Sequence, residues 1–131
     1  MTGRNAESEK EALEVLDAFM RAFNARDAEA FSATLNYPHI RVASGTVTIV
    51  NSPEDHAKTY GSRKHLVESN WHHSSLDSRE VIHSFADKVH VAVQFTRYDE
   101  AGSPIKTYQA IYVVTRVEGR WGIQVRSSSA P

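Results

Sequence analysis

The sequence predicts an α+β domain in which helices come first and then cover an antiparallel sheet. Apolar residues recur at three- and four-residue steps through the opening third of the chain and at two-residue steps after Trp71. Turn residues at Ala86-Asp87, in the loop 99–104 with its Gly102, and at Glu118-Gly119 separate the period-two runs. Strands between about residues 76 and 126 therefore read as successive hairpins.

The first helix carries Ala12, Leu13, Leu16, Phe19, Met20 and Phe23 along one face. Ser8 followed by Glu11 has the spacing of a capping box, in which each side chain satisfies a backbone N–H at the helix start. The residues 24–26 end this helix. Asp27 is placed to cap a short second one bearing Ala30, Phe31 and Leu35. Pro38 then begins a strand. Ser52-Pro53-Glu54-Asp55 opens a third helix, because proline tolerates the first turn and the acidic pair suits the positive end of the helix dipole. Gly61 is its expected stop. Val89, Val91, Val93 and Phe95 alternate with His90, Ala92, Gln94 and Thr96. Ile111, Val113 and Val117 alternate with Tyr108, Ala110, Tyr112 and Val114, and Trp121, Ile123 and Val125 with Gln124 and Arg126.

A chain of 131 residues suits one domain spanning 1–131, with 1–7 and 127–131 expected to fray. The formal net charge is -1, so no broad positive field favours nucleic acid or an anionic membrane, and neither partner is expected. The absence of cysteine removes disulfides, thiolate catalysis and thiolate metal sites. The opening residues are polar, and Glu14, Asp17 and Arg21 interrupt the apolar ones that follow. Neither a signal peptide nor a membrane span can be read there, and a cytoplasmic location is the default expectation.

Two stretches bear on chemistry. In residues 36–50, Tyr37, His39 and Arg41 take alternate positions with Ile40 and Val42 between them, so the polar trio shares one strand face. That face either lines a pocket, offering a phenol, an imidazole and a fixed cation that favours a carboxylate, or lies on the solvent or partner side while Ile40 and Val42 face the core. Parity leaves both open, because a kink at Pro38 or a bulge near Gly45 would flip the register. In residues 71–77, Trp71 supplies a flat apolar surface, and His72 and His73 point to opposite sides if extended. No HExxH or Cys/His spacing is present, so no metal site and no cofactor are expected; His83 and His90, across the Ala86-Asp87 turn, read as a surface pair. Late-strand candidates are Arg97, Tyr108, Tyr112, Gln124 and Arg126, divided by parity between the two faces.

The segment VLDAFMRAFNARDAEAFSATL resembles the opening helices of nuclear-transport-factor-two-like (SnoaL-like) proteins, with an Asn-Ala-x-Asp turn between a long and a short helix. The ending KTYQAIYVVTRVEGRWGIQVRSS is similar to that superfamily's last hairpin, with a Gly-x-Trp entry to the final strand. The resemblance implies a cystatin-like α+β roll, a cone-shaped and strongly curved sheet with the N-terminal helices packed on its concave face. It also implies a pocket inside and a homodimer formed through the outer sheet face. Steroid isomerases of this superfamily carry a catalytic tyrosine where this chain has Phe19, and an aspartate base on the strand after the second helix, whereas residues 30–53 contain no carboxylate. Phe19 cannot donate the hydrogen bond that such an oxyanion needs.

Three functions are then in play. One is a small-molecule binding protein for a hydrophobic or aromatic ligand, including one with an anionic group, contacted by Phe19, Phe23, Trp71, His72, Tyr108, Tyr112 and Arg126. Another is a cofactor-free isomerase, dehydratase or cyclase in which His39 or one of the pair His72-His73 moves a proton while Tyr37 or Arg41 steadies the oxyanion. The third is a dimerisation module whose cavity is filled by side chains.

Overall fold

In the computed structural model, residues 4–60 and 70–130 are described, the side chains of residues 59 and 60 apart. The elements run α1 (Ala6–Ala25), α2 (Ala28–Ala33), β1 (Leu35–Ala43), β2 (Thr46–Val50), α3 (Pro53–Tyr60), β3 (His73–Ser84), β4 (Lys88–Tyr98), β5 (Pro104–Val117) and β6 (Arg120–Ser128). The strands form one curved, unclosed sheet in the order β2-β1-β6-β5-β4-β3. Neighbours pair antiparallel except β1 and β6, which run parallel. Register shifts interrupt β3, the far end of β4 and the middle of β5–β6, and such irregularities bend a sheet.

Helix α1 lies across the concave face, where Ala12, Leu16 and Phe19 are buried with Val89, Val91 and Val93 of β4, Tyr112 and Val114 of β5, and Ile123 of β6. The expected α+β roll is therefore present. Its α1 cap differs from the expected one: Asn5, not Ser8, caps the helix, its side chain accepting from Ser8 N at 3.0 Å. The earlier start ties α1 to the sheet, because Asn5 N donates to Ser84 Oγ at 2.7 Å. Asp27 caps α2 as expected, its carboxylate accepting from Ala30 N. Leu35 opens β1 rather than closing α2, since Thr34 takes the helix end by donating its hydroxyl to the Phe31 carbonyl. Ser52 Oγ accepts from Asp55 N at the start of α3, and the expected stop at Gly61 lies outside the described residues.

Residues 36–50 are two strands, not one. Ser44 and Gly45 both take positive φ and join Ala43 to its partner Thr46, the two-residue loop geometry that suits a twisted hairpin. Glu118 and Gly119 do the same between β5 and β6. Within the stretch 127–131 expected to fray, residues 127–130 are paired or buried. Ser127 and Ser128 belong to β6, Ser129 N donates to the Gln109 carbonyl at 3.0 Å, and Ala130 is 1% exposed. Backbone pairing and the burial of one methyl group hold a polar tail that has no apolar pattern of its own.

Candidate functional site

The pairing of the central strands brings distant cations together. Arg41 of β1 lies beside Arg126 of β6 in the parallel register, and Arg126 lies opposite Tyr112 of β5. On β4, Arg97 follows Val91, Val93 and Phe95 on the core face. These elements meet over a partly open cavity of about 40 Å³, lined by Arg41, Phe95, Arg97, Tyr112 and Arg126 from the sheet and by Phe19, Met20 and Phe23 from α1. Ser74 and the tail residues Ser128 and Ala130 also line it. Among the described lining residues there is no carboxylate and no histidine.

Arg97 and Arg126 are 7% and 9% exposed, so both guanidinium groups have lost most of their water. Burial lowers the Arg97 pKa from its ordinary value, the nearby Tyr108 works against that shift, and Arg41 adds to it. Its guanidinium carbon sits 4.7 Å from the Tyr108 ring centre, while its buried Nε has no hydrogen-bond partner. Arg126 stacks over Phe19 and Phe31 at 5.2 and 5.8 Å. Arg41 Nη2 donates to the Ala130 carbonyl at 3.3 Å. Burial raises the Tyr112 pKa, and Arg126, Arg41 and Arg97 all oppose that rise, so the three positive fields converge on this phenol.

The trio on β1 faces inward, and Val42 is 39% exposed on the other side. Only Arg41 of the three reaches the cavity. Tyr37 donates its hydroxyl to the Ser32 carbonyl at 2.9 Å, which fastens β1 to α2. His39 is 1% exposed, behind Arg126. Arginine can only donate, so the contact from Arg126 Nε to His39 Nε2 at 3.0 Å makes Nε2 an acceptor, and Nδ1–H donates to the Ile123 carbonyl at 2.9 Å. Burial, then the charge of Arg126, push this imidazole down to about 3. With both nitrogens engaged and the cationic form disfavoured, His39 holds Arg126 in place and is a poor proton acceptor.

The other expected residues divide. Phe19, Phe23, Tyr112 and Arg126 line the cavity. Trp71 stands behind it, edge-on to Phe23 at 5.0 Å and with its indole N–H on Ser74 Oγ. Tyr108 also stands behind, against Phe95 at 5.5 Å. His72 is exposed and borders a separate surface hollow with Arg26 and Trp71. His72 and His73 do not point apart as expected: His72 precedes β3, and their Nδ1 atoms are 3.0 Å apart. Gln124 donates to the Pro38 carbonyl and accepts from Thr115 instead of entering the cavity. Met20 and Phe95 were read by pattern as core-facing residues and not as site candidates, and Ser74, Ser128 and Ala130 carried no signal at all. Nor did the buried contact between Ser32 Oγ and His56 Nδ1 at 2.7 Å. Among the described residues no group of three or more His, Asp or Glu could hold a metal ion.

A family profile described as NTF2-like protein (DUF6841) matches residues 8–131. The chain belongs to that family. No curated protein sequence matches this NTF2-like protein. Solved structures share its fold. An NTF2-like protein with a cystatin-like fold from Novosphingobium aromaticivorans superposes with a TM-score of 0.75 at 14% identity, covering 94% of this chain and 81% of the other. A protein of unknown function with a cystatin-like fold from Nostoc punctiforme gives 0.78 at 11% identity, covering 98% and 94%. A ketosteroid isomerase-like protein from Erwinia carotovora atroseptica gives 0.72 at 21% identity, covering 96% and 97%. No helix among the described residues is long and apolar enough to cross a membrane.

Proposed function

We propose that this NTF2-like protein is a cytoplasmic binding protein for a small organic anion, with a carboxylate or similar head against Arg41, Arg97 and Arg126 and an apolar body against Phe19, Met20, Phe23 and Phe95. The observation that carries this reading is the composition of the cavity lining: Arg41, Arg97 and Arg126 share it with Phe19, Met20, Phe23 and Phe95, and no carboxylate is among the described lining residues. Arginine forks match a carboxylate in geometry as well as charge, and a desolvated site strengthens each contact.

The isomerase reading, which the name of the Erwinia neighbour raises, needs a base beside the ligand. The described lining offers none, and the lone pair of His39 Nε2 is taken up by Arg126. Binding without turnover is therefore the better supported reading. We also propose a homodimer through the outer sheet face. There Ile40 and Val42 of β1 lie opposite Ile49 and Val47 of β2, and Val42, Val47 and Ile49 are exposed.

The test compares benzoate and phenylacetate with benzamide and phenylacetamide by thermal shift and calorimetry at pH 7. The carboxylates are expected to raise the melting temperature and to bind, with Arg97→Met weakening them at least tenfold. Equal binding of the neutral amides would overturn the reading.

A further inference from the structure

The cavity is small for the ligand class just assigned, and its shape points to what must move. About 40 Å³ holds roughly three ordered waters, whereas organic ligands occupy sites of roughly 300–1,000 Å³. Most of the wall is rigid core: Phe19 packs on Phe31 at 4.7 Å and on Tyr112 at 5.8 Å, and Arg126 is tied to His39. Ser128 and Ala130 are different. They belong to the end of β6 and the segment after it, which runs beside β5 through Gln109 and Ser129. Beyond the end of β6 the tail is held by two bonds to Gln109 of β5, one local bond and one arginine: Ser129 N to the Gln109 carbonyl, Gln109 N to Ser129 Oγ, Ala130 N to Ser128 Oγ, and Arg41 Nη2 to the Ala130 carbonyl.

We propose that residues 129–130 are a strap over the arginine cavity, in which the Ala130 carbonyl holds Arg41 where the ligand's anionic oxygen would, and that ligand entry displaces it. This rests on the anion-binding reading above. A neutral carbonyl is a weaker acceptor than a carboxylate, so the exchange at Arg41 favours a charged ligand over the strap. Lifting the Ala130 methyl out of the core opens the cavity beside the phenylalanine wall. Opening exposes Arg41 and Arg97 to solvent, which offsets part of the cost of losing that contact.

The experiment uses the absence of native cysteine. Gln109 and Ser129 face each other across β5 and the tail, so the pair Gln109→Cys/Ser129→Cys staples the strap shut when oxidised. Neither residue lines the cavity. Benzoate association is followed by stopped flow and calorimetry on the oxidised and the dithiothreitol-reduced forms, with disulfide formation verified by mass. A second protein lacks residues 129–131. The oxidised staple is expected to slow association and weaken affinity at least tenfold relative to its reduced form, and the truncated protein to bind faster than the intact one. Equal behaviour of oxidised and reduced forms, or a truncated protein that binds no faster, overturns the strap while benzoate binding itself upholds the anion site. Binding by the truncated protein alone supports the strap. Failure of every form to bind benzoate or phenylacetate overturns the anion site, and the strap with it.

Discussion

Arg126 Nε donates to His39 Nε2 across 3.0 Å, and this one contact fixes the tautomer of a buried imidazole and the pose of a cavity arginine together. Protonating His39 would put a cation against a guanidinium and remove the acceptor that Arg126 uses. Burial first, and then the Arg126 charge, depress the folded-state pKa from the ordinary 6.5 to about 3. The unfolded chain then binds more protons than the folded one between those values. Stability from this source is complete above pH 6.5 and is lost as pH falls toward 3, at up to about 1.4 kcal/mol per pH unit. Glu9, held down to about 2 by Arg4 and Ser84, acts in the same direction, but only below its ordinary 4.5. Urea unfolding between pH 4.5 and 6.5 thus excludes Glu9 and reads His39 together with His90, whose pKa burial and the charges of His83 and Lys88 also lower, and the comparison with His39→Gln separates the two. Wild-type stability is expected to fall with acid across that window, and the slope to flatten in His39→Gln; parallel slopes would show that His39 titrates normally.

Arg97 is predicted to cost stability for the sake of binding. Its Nε is buried without a partner, and Tyr108 compensates the charge through its ring face, worth about 1 kcal/mol, and through a side-chain hydrogen bond. Replacing a desolvated charge by an apolar side chain of similar length is often neutral or stabilising. Arg97→Met is expected to melt at the same temperature or higher, with stability gained by about 1 kcal/mol, while benzoate affinity falls at least tenfold. A marked loss of stability would make Arg97 a structural residue.

The helices and hairpins were legible because their signals are local. Asp27 and Ser52 cap within three residues, Glu118-Gly119 turns within two, and the period of Val89, Val91 and Val93 needs no distant partner. The cavity was not legible in the same way. Arg41, Arg97 and Arg126 are far apart in the chain and meet only through the parallel β1–β6 register and the β4–β5 pairing. The face of Tyr37, His39 and Arg41 could not be read from parity, because the β1–β6 register shifts between Leu35 and Ile40. Ser128 and Ala130 looked like a frayed end, since a polar tail held by backbone pairing leaves no apolar pattern.

Gly122 is expected to be intolerant for reasons of space alone. A Cβ there would lie 2.8 Å from Asn36 Cγ and Oδ1 and 3.0 Å from Asn36 N. Asn36 cannot easily yield, because its amide donates to the Thr115 carbonyl at 2.9 Å and its Oδ1 accepts from Arg120 at 2.6 Å. Gly122→Ala should destabilise by roughly 1–3 kcal/mol in urea unfolding. Adding Asn36→Ala should recover only part of this, because the backbone nitrogen still crowds the new methyl. Full recovery would place the whole conflict in the side chain.

The proposed dimer can be tested at the sheet edge. Val47 and Ile49 are 63% and 56% exposed, and they lie beside Val42 and Ile40 on one outward face of the β1–β2 hairpin. The row continues inward from Val42 through Ser127 to Ile111, which is 40% exposed. Exposed apolar side chains aligned across neighbouring strands are what a second copy covers in an isologous interface. Val47→Lys/Ile49→Lys adds two like charges per copy at that face, so a dimer would set four against one another. Sedimentation velocity is expected to show a dimer for the wild type and a monomer for the double variant. The variant's melting temperature should also lose the concentration dependence of the wild type, as dissociation linkage requires. A wild-type protein that sediments as a monomer at high concentration, or a variant that stays dimeric, would place the contact elsewhere or remove it.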